Sequence, residues 1–288
     1  MSATYVAQDA PPAELPETAL SQEDWAALST AVRRLERSSL AMRLAHVLDR
    51  QVKLASSIVP PSISANVSRA VSLALRAAMK AAIRSLGQPA AGHSPSPMAH
   101  RAMAIASGAA GGALGLATLP IELPISTTLM LRSIADVARS EGEDLADPEA
   151  ALACLEVFAL GGEPQAAPWE SGYFAVRALL AKTVSEAARY ILNRGVVEEG
   201  APILVRLGSL IASRFGAVVT QKALAQAVPV VGAVSGGAIN YAFMEHFQTV
   251  AQGHFTVRRL ERVYGPQVVR KAYEQIRLAQ AGERARAV

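Results

Sequence analysis

Apolar side chains recur along this chain at steps of three and four residues, which predicts helices almost throughout and leaves no alternating strand pattern. Ser21 to Asp24 forms a capping box, and Trp25, Leu28, Val32 and Leu35 follow as an inward stripe. Leu44, Val47, Leu48, Val52, Ala55 and Ile58 continue it until Pro60 and Pro61 interrupt the chain. The next predicted helix buries Ile63, Val67, Val71, Ala74, Leu75, Ala78, Ala82 and Ile83, and sets Arg69, Arg76, Lys80 and Arg84 on a separate, purely basic face.

Gly87, Pro89, Gly92, Pro95 and Pro97 predict a linker. Residues 102–131 then hold one charged side chain, Glu122, and four glycines, Gly108, Gly111, Gly112 and Gly115. Pro120 and Pro124 predict a sharp break there, with Pro124 opening a helix that Gly142 ends. Asp147 and Pro148 have the chemistry of a helix start, with an end near Gly161. Further helices are expected over about 169–192, 198–215 and 217–228, then from beyond Pro229 to 263, and from Pro266 onward. A second uncharged run, 223–244, carries Gly232, Gly236 and Gly237. The expected fold is an all-α multi-helix bundle around two glycine-rich apolar helices, without significant β-sheet. Its segments are a disordered tail at 1–20, amphipathic helices at 21–86, a linker at 87–99, a helical core at 100–265, and a C-terminal helix with a basic tail at 266–288.

Composition sharpens the choice of partner for the apolar runs. Hydrophobic residues make up 51% of the 288 positions and charged ones 18%, which is greasy for a soluble domain but short of a polytopic membrane protein. Residues 102–121 include only five from Leu, Ile, Val and Phe, worth about −3 kcal/mol at most on the insertion scale, so a stable span is marginal. The run 223–244 contains Gln226, Pro229 and Asn240 and is poorer still. Burial inside a soluble bundle therefore ranks first, and membrane-dipping hairpins second. A single cysteine, Cys154, excludes an internal disulfide and favours a reducing compartment. With no Lys or Arg in the first twenty residues, the expected location is cytoplasmic, with peripheral association on the inner membrane face.

Charge is distributed unevenly. Between positions 50 and 121 there are seven basic residues (Arg50, Lys53, Arg69, Arg76, Lys80, Arg84, Arg101) and no Asp or Glu. Such an excess suits anionic lipid or an acidic partner protein. Nucleic acid ranks behind them, because no aromatic residue interleaves the basic ones.

The chemistry-bearing patterns are sparse. Gly108 to Gly115 lacks the preceding strand and Gly-Lys-Ser/Thr ending of a phosphate loop. Glu245, His246 and His254 do not share a helix face as a zinc-binding helix requires, and Cys154 sits in an apolar stretch that reads as a buried thiol. Glu156 and Asp136 could pair as carboxylates, though sequence leaves their separation open. Arg132 and Asp136, at i, i+4 spacing, read first as an intrahelical ion pair. With Glu122 and Asn240 they also outline a polar cleft between the glycine-rich helices. No catalytic residue, cofactor or metal site is assigned, and an enzyme ranks below a binding protein.

Two blocks of sequence carry a likeness. One runs from Gly111 through Leu119-Pro120-Ile121-Glu122-Leu123-Pro124 into Leu131-Arg132-Ser133-Ile134-Ala135-Asp136-Val137-Ala138 and Gly142-Glu143-Asp144. The other joins Val228-Pro229-Val230-Val231-Gly232-Ala233-Val234, Asn240-Tyr241 and residues 255–261. Together they resemble the bacterial EcsC family, named after a gene linked to an ABC transporter. The resemblance implies an all-helical protein without accepted catalytic activity, so it transfers no active-site residues. The expectation is a non-catalytic accessory protein that meets an anionic lipid surface or a membrane transporter subunit through Arg69, Arg76, Lys80 and Arg84. The alternatives are a soluble protein-binding scaffold and a ligand-binding or enzymatic bundle.

Overall fold

A computed structural model of the chain describes residues 20–37, 40, 61–85, 119–162, 172–194, 200–226 and 233–287. Among these, eight helices and no strand occur: α1 (Gln22–Arg37), α2 (Pro61–Ser85), α3 (Leu119–Ser140), α4 (Pro148–Leu160), α5 (Gly172–Arg194), α6 (Pro202–Gln226), α7 (Ala233–Tyr264) and α8 (Pro266–Ala287). The expected all-α fold is observed. The tail, the stripe from Leu44 to Ile58, the linker, the first glycine cluster Gly108 to Gly115, and Arg50, Lys53 and Arg101 lie outside the described residues.

Local chemistry sets several helix ends where the sequence placed them. Ser21 Oγ accepts the Asp24 amide at 3.1 Å, and Asp147 Oδ1 accepts the Glu149 amide at 3.0 Å ahead of Pro148. Gly142 has φ +79°, and the amides of Gly142 and Glu143 close back onto the carbonyls of Arg139 and Ala138, each at 3.0 Å. This is a Schellman turn, which needs a left-handed residue.

Two expected breaks are absent. α3 begins at Leu119 and runs through Pro124. Pro120 falls in the first turn, where its missing donor has no partner to lose, and Pro124 forfeits one bond close to the helix start. Burial of Leu119, Leu123, Met130 and Leu131 outweighs that loss. α6 likewise continues through Gly216. A mid-helix glycine costs about 1 kcal/mol, less than the buried Phe215, Val218 and Val219 on either side return. At α1, Leu28 and Val32 are buried as expected, whereas Trp25 at the helix start is 41% exposed.

α7 is the longest helix among the described residues and the organising one. It packs against α1, α3, α4 and α8, while α2 packs chiefly on α3 and α6. Both N-terminal helices therefore belong to the bundle. The main core joins α2 through α7 and centres on Phe158, Phe215, Phe243 and Phe247, whose ring centroids are 5.1–6.1 Å apart. A second core joins Leu28, Val32, Tyr173, Leu260, Val269 and Tyr273. α1 reaches α7 at Gly253, where a Cβ would lie 2.7 Å from Leu35 Cγ. α3 and α7, the described continuations of the two glycine-rich runs, also pack together. Gln248 donates to Ser133 Oγ at 2.7 Å across that buried contact.

Candidate functional site

The four basic residues expected to meet a partner all lie on α2. At 3.6 residues per turn, Arg69, Arg76, Lys80 and Arg84 fall within about 80° of arc, opposite the buried face of Val67, Ala70, Val71, Ala74 and Ala78. The three arginines are exposed and Lys80 is half-buried. Leu73, inside the same arc, is 43% exposed. Neither α2 nor its neighbour α6 contains an Asp or Glu, and α6 adds an exposed Arg206. Between the two helices runs a groove of about 400 Å³ lined by Leu75, Met79, Leu204 and Val205, with Arg76 at its edge. Ile121 and Ile125 on α3 are 71% and 51% exposed. α6 is also the one helix among the described residues long and apolar enough to cross a membrane by length and composition. It packs on α2, α4 and α5.

The outlined cleft residues are placed apart from one another in character. Glu122 is buried, and Lys222 Nζ, itself fully buried, lies 2.7 Å from its Oε1 and 4.9 Å from the Phe243 ring centroid. Burial pulls the Lys222 ammonium below its ordinary pKa, and Glu122 pulls it back. Asp136 is bonded to Arg139 at 3.0 Å instead of Arg132, and Arg132 is exposed. Asn240 is buried on α7. Lys222 was not singled out by sequence, because its partner is 100 residues away.

A second concentration of polar chemistry lies elsewhere, in a pocket of about 500 Å³ between α4, α5, α7 and α8. Nearly every α4 side chain is buried, and among them is one acid, Glu156. Burial pushes its carboxyl up to about 7, against the opposing pull of Arg177 and Arg258. Its Oε2 lies 3.8 Å from His254 Nε2. Burial, then Arg177 and Arg258, hold the imidazole well below its ordinary value and therefore neutral, so the pair is no salt bridge at neutral pH.

Behind this pair a relay crosses the bundle. Tyr173 Oη is 3.1 Å from His254 Nδ1 and accepts from Arg177 Nη1 at 3.3 Å. With Arg177 donating to the phenol oxygen, the arrangement that uses both hydrogens has Tyr173 donating to Nδ1 and the Nε2 hydrogen facing Glu156. Arg177 is in turn forked onto Glu261 at 2.7 and 2.9 Å. Arg258 is forked onto Glu143 at 2.8 and 3.2 Å. Arg258 and Arg262 hold the Glu143 carboxyl below its ordinary range, although burial opposes them.

The other residues considered for chemistry take ordinary places. His246 Nε2 is 2.7 Å from the Gly161 carbonyl, and burial pushes the Cys154 thiol up to about 12, so it is held as an inert thiol. No group of three or more His, Cys, Asp or Glu positioned to hold a metal exists among the described residues.

Among the described residues the chain is an all-α bundle with a basic, acid-free pair of helices and a pocket lined by charged side chains. The sequence model of the EcsC protein family matches residues 22–260, from α1 nearly to the end of α7. The chain belongs to the EcsC protein family. No curated protein and no solved structure matches it.

Proposed function

We propose that this EcsC-family chain is a non-catalytic accessory protein that docks on the anionic inner leaflet through the α2 stripe. One observation carries the reading: two helices packed side by side, α2 and α6, hold no acid, and their exposed arginines Arg69, Arg76, Arg84 and Arg206 point to an external counter-charge. Each such cation near an anionic bilayer contributes about 1 kcal/mol. Four or five give a reversible association in roughly the millimolar range by charge alone. Burial of the exposed Leu73, Ile121, Ile125 and Val205 would strengthen it by a few kcal/mol.

Co-sedimentation with phosphatidylglycerol vesicles tests this. Binding at about 50 mM salt that falls steeply by about 500 mM, and that is absent with phosphatidylcholine alone, is the expected result. The Arg69→Glu/Arg76→Glu/Arg84→Glu variant should lose it. Equal binding by that variant, or none by the parent chain, overturns the reading. In the latter case a transporter's cytoplasmic surface becomes the partner to test.

A further inference from the structure

Glu156 stands out among the charges of its pocket. Arg177 is neutralised by Glu261, Arg258 by Glu143, and Glu274 by Arg277 at 2.8 Å. Glu149 and Arg270 are exposed at the rim and oppose one another in sign, with Arg270 laid over the Phe174 ring at 5.4 Å. Glu156 alone among the pocket's charged residues is buried, 6% exposed, and makes no hydrogen bond to a described residue. Ala175, Ala178, Ala181 and Val184 of α5 also line the pocket, the three alanines open to solvent, so its α5 side offers short side chains around Arg177. A buried carboxyl that lacks a hydrogen-bond donor is stabilised in its ionised form by a ligand that brings a positive charge with its own N–H donors, and the short side chains of α5 leave room for a small apolar body.

We propose that this pocket binds a small organic ammonium ion, a primary amine with a short apolar body, whose nitrogen takes Glu156 as counter-ion. Arg177 and Arg258 oppose a second cation here as they oppose protonation of His254, and their pairing with Glu261 and with Glu143, which Arg262 shares, reduces that repulsion. The neutral His254 behind Glu156 adds no opposing charge. The other charged groups around Glu156 are Glu149 on its own helix, Arg177 on α5, Arg258 and Glu261 on α7, and Arg270 and Glu274 on α8. The inference is independent of membrane docking, because no residue of the α2 stripe lines the pocket.

Hexylamine, hexanol and hexanoate, matched in size, are the probes, titrated into the full chain and followed by NMR. Hexylamine should bind saturably, more tightly than hexanol, with hexanoate weakest. Binding needs the ionised carboxylate, so affinity should rise about tenfold from pH 6 to pH 8 and release a proton. Glu156→Gln, which keeps the side-chain shape and removes a buried charge, should lower hexylamine affinity at least about tenfold and flatten the pH profile. The Arg69→Glu/Arg76→Glu/Arg84→Glu variant should bind hexylamine like the parent chain, which separates this test from the vesicle experiment. Preference for hexanoate, unchanged affinity in Glu156→Gln, or no saturation by about 10 mM would overturn the proposal.

Discussion

Arginine does opposite jobs at the two ends of this bundle. On α2, Arg69, Arg76 and Arg84 face solvent in a stretch with no acid. At the C-terminal end of α7, Arg258 and Arg262 grip Glu143, and Arg259 bonds both Glu141 and Asp24 at 2.9 and 3.1 Å. The second set ties the α3–α4 turn and α1 to α7, so its charge is consumed in holding helices together. A net charge of +4 would describe both ends alike. What separates them is whether each guanidinium has a partner within the fold, and that decides which end is available to another molecule.

The contrast can be broken first at a charge inside the α2–α6 half. Lys222→Met strands Glu122 in the core and should destabilise the protein by about 3–5 kcal/mol in urea unfolding, while adding Glu122→Leu should recover most of the loss. A free energy unchanged by the single substitution would mean the pair is solvated.

Next in size is the pH response of Glu156 and His254. The native Glu156 carboxyl titrates at about 7 against an ordinary 4.5, so the native state keeps a proton that the unfolded chain releases, and stability from this group falls as pH climbs from 4.5 to 7. His254 is depressed in the native state, so its contribution is full above about 6.5 and is lost as pH falls. The two slopes oppose. Glu156→Gln should therefore be more stable than the parent at pH 8 by on the order of 2–3 kcal/mol, with the difference closing toward pH 4.5. Urea unfolding from pH 5 to 8 measures it, and a pH-independent difference would contradict the assignment.

Smaller again is the α1 contact. Gly253→Ala puts a methyl against Leu35 and the Ala31 carbonyl, which should cost about 1–3 kcal/mol and raise protease sensitivity within α1 before the rest of the bundle. The smallest effect on stability belongs to the α2 arginines. Their conversion to glutamate should shift unfolding by less than about 0.5 kcal/mol while removing vesicle binding, which would show that those charges have no internal duty.

The legibility of the sequence follows the same division. The basic stripe was readable because it is local: four side chains at steps of four and seven residues, with no acid nearby, define a face without knowledge of any neighbour. Helix ends at Asp147 and Gly142 were readable for the same reason. Gly216 and Pro124 misled, since their intrinsic cost is real but smaller than the burial of Phe215, Val218 and Leu123 around them. The pocket could not be assembled, because Glu156, Arg177 and His254 meet only through tertiary packing, and Arg177 finds Glu261 84 residues away. One signal was present, however. Glu156 is the sole acid in the apolar interior of α4, and a lone acid in such a run has to be buried, paired or put to use.

The family match ends at residue 260, whereas Pro266, Gln267, Arg270 and Glu274 of α8 close one side of the Glu156 pocket. Apart from Glu261, the rest of that chamber is lined from within the matched residues, and its door is hung on a helix beyond them, attached through the left-handed Gly265. A chimera carrying another α8 that keeps Val269 and Tyr273, which the second core needs, should change what enters while leaving the bundle standing.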